Sequence, residues 1–268
     1  MQKKGKFILF TVDEFDAWLA ETKFSRTVTL IQNHHTFMPG YSQFKSTNHF
    51  ALLEGMERFH MVDRGFDEIA QNLTTFPDGT VAVCRSLEKI PAGIKGANQS
   101  GVCIEHLGNF DTNGDAMTDS HGQTIVRVNA LLCREFLLTP STDTLVYHHW
   151  YDRDSGIRTN GTGNTKSCPG TAFFGGNSVA EAQAGFIPPV TAALNDLATI
   201  APTPVIRSVE VVTNGALNVR TGAGTSFSLC KQLRNGVLVQ VYAEADGWCR
   251  IHPSEQQWVS NRYVRAVA

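Results

Sequence analysis

The chain has 268 residues, 42% of them hydrophobic, and a formal net charge of −2 with a pI near 6.5. That length has room for one large domain and one small one. The near-neutral charge argues against a protein that lives on the phosphate backbone of nucleic acid, and with no run of eighteen apolar residues nothing in the sequence spans a membrane.

At the N-terminus, Phe7-Ile8-Leu9-Phe10 is apolar for only four residues before Thr11-Val12-Asp13-Glu14 breaks the run. A secretory apolar region needs roughly 7–15 residues, so no signal peptide is read here. Thr11-Val12-Asp13-Glu14 has the S/T-x-x-E form of a capping box, and Phe15, Trp18 and Leu19 supply one apolar face. A short helix is predicted there. Thr27 to Ile31 reads as a strand that delivers His34 at its end, and His49 to Val62 carries helical spacing through Leu52, Leu53, Met56 and Phe59. Residues 69–75 and 80–84 read as two strands around the turn Pro77-Asp78-Gly79. Gly101 to Leu107 is a further strand, Ile125, Val128, Leu131, Leu132 and Phe136 form a helical stripe, and Asp143 to Tyr147 is a strand ending at His148. Interleaved strands and helices predict an α/β first domain with a mixed sheet.

A break follows Leu197, giving residues 1–197 as the first domain and 198–207, with Ala201-Pro202-Thr203-Pro204, as a short stiff linker. Over 208–268 the texture changes to short strands separated by Gly and Asn/Asp: Val209 to Val212, Ala216 to Val219, Val237 to Tyr242, Trp248 to Ile251 and Trp258-Val259. A small all-β barrel is predicted.

The chemistry-bearing residues cluster at strand ends. One histidine pair is His34-His35, a second is His148-His149, and Cys168 follows in the turn Lys166-Ser167-Cys168-Pro169-Gly170. Two imidazoles and one thiolate make a three-ligand set for zinc, with the fourth tetrahedral position left open, which is the catalytic arrangement. Alternation along a strand lets only one histidine of each pair face a metal, and the residues alone leave that choice open. Of the six cysteines, none forms a CxxC; most read as buried thiols, with Cys230 and Cys249 candidates for a pair in the small domain. Other signals fail. Gly161 to Ser167 approaches a phosphate loop, but Thr165 stands where Gly is required. Asp111-Thr112-Asn113-Gly114-Asp115 opens like a calcium loop, but Ala116 and Gly122 hold the positions that need Gly and Glu. Trp150 and Tyr151 are candidates for lining a sugar groove, against an ordinary core role.

With these motifs in view, the chain resembles the zinc N-acetylmuramoyl-L-alanine amidases, a family shared with phage amidase lysozymes and peptidoglycan recognition proteins. The matching pieces are Asn33-His34-His35-Thr36, Gly65 to Ala70, Asp78-Gly79-Thr80, Ser100 to Phe110, His148-His149 and Lys166 to Gly170, in family order over about residues 25–175. The resemblance selects His34, His148 and Cys168 as the ligands of one Zn2+. It implies that Glu105, in Ile104-Glu105-His106-Leu107-Gly108, is the general base toward water and then the acid toward the leaving amine. It also implies that Lys166 stabilises the tetrahedral oxyanion. A carboxylate flanked on its own strand face by Cys103 and Leu107 is expected to have a raised pKa. The sequence departs from the family where many members have Tyr-His-Phe and this chain has Gln71-Asn72-Leu73; Gln71 is expected to donate to the scissile carbonyl if it takes the tyrosine's place.

Ala216 to Thr225, Asp246 to Ile251 and Trp258 to Val264 resemble a bacterial SH3-like domain. Such domains hold cell-wall peptides, which would raise the local enzyme concentration on the polymer. The expectation is a peptidoglycan hydrolase acting at the bacterial cell wall, cutting between the lactyl group of N-acetylmuramic acid and L-alanine. Without a signal peptide, release would be through a holin or a non-classical route. Two other readings compete: a recognition protein that grips muropeptide without cutting, which the retained Cys168 disfavours, and a zinc endopeptidase acting within the stem peptide.

Overall fold

The computed structural model describes residues 1–199, 205–253 and 255–267. Two compact units divide at Leu197/Ala198.

The first unit is built on a seven-stranded mixed sheet in the order β1-β2-β5-β4-β6-β3-β7. Its strands are β1 (Gln2–Lys4), β2 (Phe7–Thr11), β3 (Leu30–His35), β4 (Leu73–Thr75), β5 (Thr80–Val83), β6 (Gly101–His106) and β7 (Leu145–Tyr147). β3 runs parallel to both β6 and β7, and β4 parallel to β6, while the β1, β2 and β5 side is antiparallel. The short apolar run at the N-terminus is thus a strand: Phe10 packs toward Phe15 and Leu19, and Phe7 and Leu9 toward the opposite face.

Helix α1 (Val12–Glu21) starts with the predicted capping box, Thr11 and Glu14 each accepting the other's backbone N–H, and buries Phe15 and Leu19. α3 (Asp119–Glu135) buries Ile125, Val128, Leu131 and Leu132 on the same sheet face, where Ile31, Val102 and Ile104 point. Phe186 and Val190, from α4 (Val179–Gly185), its end and α5 (Ile187–Thr199), complete that core. The opposite face is covered by α2 (His49–Arg58), whose Leu53 and Met56 pack on Phe7, Leu9, Ala82 and Cys84. Each such side chain contributes about 1.5–3 kcal/mol on burial. These partners lie on β2, on β5 and directly after it, so α2 leaves His34 on β3 and Glu105 on β6 lining an open groove.

Some predicted bounds shift. β3 begins at Leu30 and holds His34 inside the strand rather than past its end. β4 begins at Leu73, because the carbonyls of Ile69 and Ala70 are taken by Arg85 Nε at 2.8 Å and by the Ala92 N–H at 2.9 Å instead of a neighbouring strand.

The second unit is all β, with a five-stranded and a three-stranded sheet around Val209, Val211, Leu217, Val219, Val241, Cys249 and Val259. Leu229–Arg234, Ala243–Ala245 and Val264–Ala266 are strands that the sequence reading did not identify. Cys230 and Cys249 are both free thiols, Cys230 exposed and Cys249 buried, so they form no pair. The linker read over 198–207 lies largely outside the described residues; α5 continues to Thr199 and the next strand opens at Arg207.

Candidate metal centre

β3 and β7 are neighbours in parallel register, with Asn33 opposite Tyr147. His34 follows Asn33 on its strand, and His148 opens a turn of 3-10 helix directly after β7. Their Nδ1 atoms meet at 3.1 Å, and the ligand atoms of His34, His148 and Cys168 all lie within 4.8 Å of one another.

The turn that brings Cys168 there is held from several sides. Its carbonyl accepts the His149 N–H at 2.7 Å. Ser167 donates to Asp111 Oδ2 at 2.9 Å, the Thr171 N–H donates to Asp111 Oδ1 at 3.0 Å, and Asn177 Nδ2 donates to the Ser167 carbonyl at 2.7 Å. Gly170 has φ +121°, and a Cβ there would meet the Phe110 carbonyl oxygen at 2.3 Å. Only glycine fits that turn. Asp111, which failed as a calcium-loop residue, is therefore the anchor of the cysteine turn; no pattern in the sequence marks it.

The structure separates the histidine pairs. His35 Nδ1 accepts the Phe110 N–H at 3.1 Å, and His149 Nδ1 is bonded to the Lys166 carbonyl at 2.6 Å. His34 and His148 are left facing each other.

Zinc fits the donor set. Two nitrogens on one tetrahedral ion at 2.0–2.1 Å stand about 3.3 Å apart, close to the separation found. Only one of two facing neutral nitrogens can carry a proton, and His34 Nε2 is buried with no partner. Burial holds the His34 imidazole well below its ordinary pKa, with His148 and Lys166 adding to the effect. Burial likewise pushes His148 down to about 3 and the Cys168 thiol up. The pocket resists protons on the imidazoles, and a dication would supply what the thiolate needs.

Glu105 lies beside this cluster, its Oε1 3.9 Å from His34 Nδ1 and its side chain 18% exposed. Burial raises its carboxyl to about 8, and Lys166 opposes the rise. Lys166 is exposed, lines the same groove and makes no ion pair among the described residues.

Gln71 is not in the groove. It is fully buried, and its Nε2 donates to Thr74 Oγ1 at 3.0 Å and to Met56 Sδ at 3.8 Å. The expected bond from Gln71 to a substrate carbonyl is therefore withdrawn. Trp150 belongs to the core, whereas Tyr151 does line the groove. The groove has a cavity volume of about 1140 Å3, and its walls also include Met38, Phe59, His60, Arg64 and Arg153, which sequence reasoning did not single out.

Comparison with known proteins agrees with the family and the SH3-like domain that the sequence resembles. The N-acetylmuramoyl-L-alanine amidase family profile matches residues 24–171, more than half of the chain. The bacterial SH3 domain profile matches residues 215–265. No curated protein matches. Among solved structures, wild-type PGRP-LB from Drosophila is 19% identical with a TM-score of 0.46, covering 60% of this chain and 82% of that one. The N-acetylmuramoyl-L-alanine amidase LysC from Clostridium intestinale URNW is 19% identical with a TM-score of 0.41, covering 57% and 84%. By its sequence match, the chain belongs to the N-acetylmuramoyl-L-alanine amidase family and carries a bacterial SH3 domain at its C-terminal end.

Proposed function

We propose that the first unit is a zinc-dependent hydrolase that cleaves the amide between the lactyl group of N-acetylmuramic acid and L-alanine in bacterial peptidoglycan. The observation that carries this is the convergence of His34, His148 and Cys168 beside Glu105 in one open groove. His34, His148 and Cys168 would hold the ion. Bound there, zinc supplies Lewis acidity toward a carbonyl and acidifies water.

The chain's own groups do the rest. Glu105 takes a proton from the attacking water and delivers it to the leaving amine nitrogen; a carboxyl lifted toward neutrality can serve in both directions. Lys166 brings an ammonium to the groove, where it steadies negative charge growing on the carbonyl oxygen. Asp111, Ser167 and Asn177 keep the cysteine turn rigid, so that Cys168 is presented without reorganisation. The SH3-like unit binds cell-wall peptide and keeps the enzyme on its polymer, so the site of action is the bacterial wall.

Digestion of purified sacculi tests this. New N-terminal L-alanine, with no new glycan reducing ends, is the expected product. Release of another amine would make the protein an endopeptidase, and binding without any product would make it a recognition protein.

A further inference from the structure

Behind the metal cluster, on the other face of the sheet, a polar contact lies in an otherwise apolar layer. Ile31, Val102 and Ile104 point to that face, and Asn33 and His106 continue the same alternation on β3 and β6. Asn33 directly precedes the proposed ligand His34, and His106 directly follows Glu105. In the parallel register His34 lies opposite Glu105 and Asn33 opposite Ile104, so the contact between Asn33 and His106 crosses the strands on a diagonal.

The bonding around this pair has one consistent arrangement. Asn33 Oδ1 has no proton to give, so His106 Nε2–H is the donor, at 3.0 Å. The neutral ring then accepts at Nδ1, where the Thr75 O–H on β4 donates at 2.8 Å. Asn129 of α3 donates from Nδ2 to the same Asn33 oxygen at 3.0 Å. His106 is fully buried and stacks on Phe173, the ring centroids 5.4 Å apart at 18°. β4, β6, β3 and α3 are thereby tied together behind the two residues that face the groove.

Stability does not account for the pair. Buried polar partners replaced together by apolar groups of like shape leave stability nearly unchanged or improved. This layer also holds Asn33 Nδ2 and Asn129 Oδ1 buried with no hydrogen-bond partner among the described residues, a cost that apolar side chains would avoid. What the bond supplies, and an apolar contact does not, is a fixed distance and direction. It clamps the residue before His34 to the residue after Glu105. On the front of the sheet Glu105 Oε1 stands 3.9 Å from His34 Nδ1.

We propose that His106 and Asn33 are positioning residues: their bond behind the sheet sets where the Glu105 carboxylate stands relative to His34. Both are fully buried, so neither meets substrate. The inference rests on the proposed function for the reaction that this spacing serves. Displacing a reacting group by about 1 Å costs on the order of 100-fold in rate. A bond that holds the two strands in place therefore acts on turnover and not on binding.

The test uses the full zinc-loaded chain and soluble disaccharide-peptides released from sacculi by a muramidase. His106→Phe keeps the stack on Phe173 and removes both bonds of the imidazole. Its kcat should fall roughly 10- to 100-fold, with KM within about twofold and zinc content unchanged. His106→Gln, whose amide has both a donor and an acceptor, should recover part of that loss. His121→Phe, which disturbs the same layer but leaves the bond between Asn33 and His106, should lower the urea midpoint and leave kcat unchanged. Should His106→Phe not fold, Asn33→Leu combined with His106→Phe removes both partners together and should show the same fall. Crystal structures of the zinc-loaded native and variant chains give a readout apart from turnover: the separation of His34 and Glu105 should change by more than about 0.5 Å. An unchanged separation, an unchanged kcat per zinc-loaded chain, an equal fall in His121→Phe, or loss of zinc from His106→Phe overturns the proposal. Absence of turnover by the native chain removes the hydrolase reading, and the crystallographic comparison then decides the positioning role by itself.

Discussion

His34 and His148 aim the same atom at each other: Nδ1 stands 3.1 Å from Nδ1, with the rings 4.7 Å apart and inclined at 66°. Two adjacent parallel strands create this meeting, since β3 holds one residue and the end of β7 releases the other. Two facing lone pairs with a thiol beside them are poorly satisfied alone and well satisfied around a cation. His148→Ala should therefore abolish stoichiometric zinc binding while the chain stays folded. Lewis acidity contributes several kcal/mol to such reactions, so activity should fall at least about a thousandfold. Metal analysis beside a sacculus-digestion assay checks both.

Glu105→Gln keeps the shape of the side chain and removes its proton chemistry. Turnover should drop by roughly 10²- to 10⁴-fold, with zinc content unchanged. A variant that retains full rate would remove Glu105 from the mechanism.

A third prediction concerns acid. On the sheet face away from the metal cluster, hydrogen bonds run in one direction through buried groups. Tyr41 O–H donates to His121 Nδ1, His121 Nε2–H to Thr75 Oγ1, and Thr75 O–H to His106 Nδ1, each at 2.8 Å. His106 Nε2–H then donates to Asn33 Oδ1 at 3.0 Å. Each histidine uses one nitrogen as donor and the other as acceptor, so a second proton on either breaks a link. Burial pushes His121 down to about 3 and holds His106 well below its ordinary value. Between those values and the unfolded value near 6.5 the unfolded chain binds more protons. The stability these two histidines contribute is therefore full above pH 6.5 and falls as pH drops toward 3, by about 1.4 kcal/mol per pH unit for each histidine. Urea midpoints measured from pH 7 to pH 5 should decline, and His121→Phe should flatten the slope while lowering the midpoint at pH 7.

Gly170→Ala tests the cysteine turn. The added methyl would collide with the Phe110 carbonyl in a backbone conformation that strains any other residue. A loss of roughly 1–3 kcal/mol is expected, with weaker zinc binding because Cys168 is displaced. Denaturation and a chelator competition assay measure the two effects.

Local signals carried much of this fold. Thr11 and Glu14 announced α1 because a capping box is a short-range motif, and α3 showed its buried stripe in Ile125, Val128 and Leu131. Phe7 to Phe10 was harder, because a brief apolar run has no period that distinguishes a strand from a failed leader segment. Leu229–Arg234 was invisible because nearly all its side chains are exposed, so no alternation marks it. In the site, the residues alone mark the two histidine pairs and the cysteine turn, and the family resemblance selects His34, His148 and Cys168. The choice between adjacent histidines depends on strand register, which is a property of the assembled sheet. His60, Arg64 and Arg153 line the groove without a motif to mark them, because side chains distant along the chain meet only in the assembled fold.

X-ray absorption at the zinc edge of the zinc-loaded chain addresses the central claim most directly. The account predicts one ion per chain with one sulfur at about 2.3 Å and two imidazole nitrogens at about 2.0–2.1 Å, the sulfur shell vanishing in Cys168→Ala. A shell with no sulfur, or one unchanged by that substitution, would contradict it.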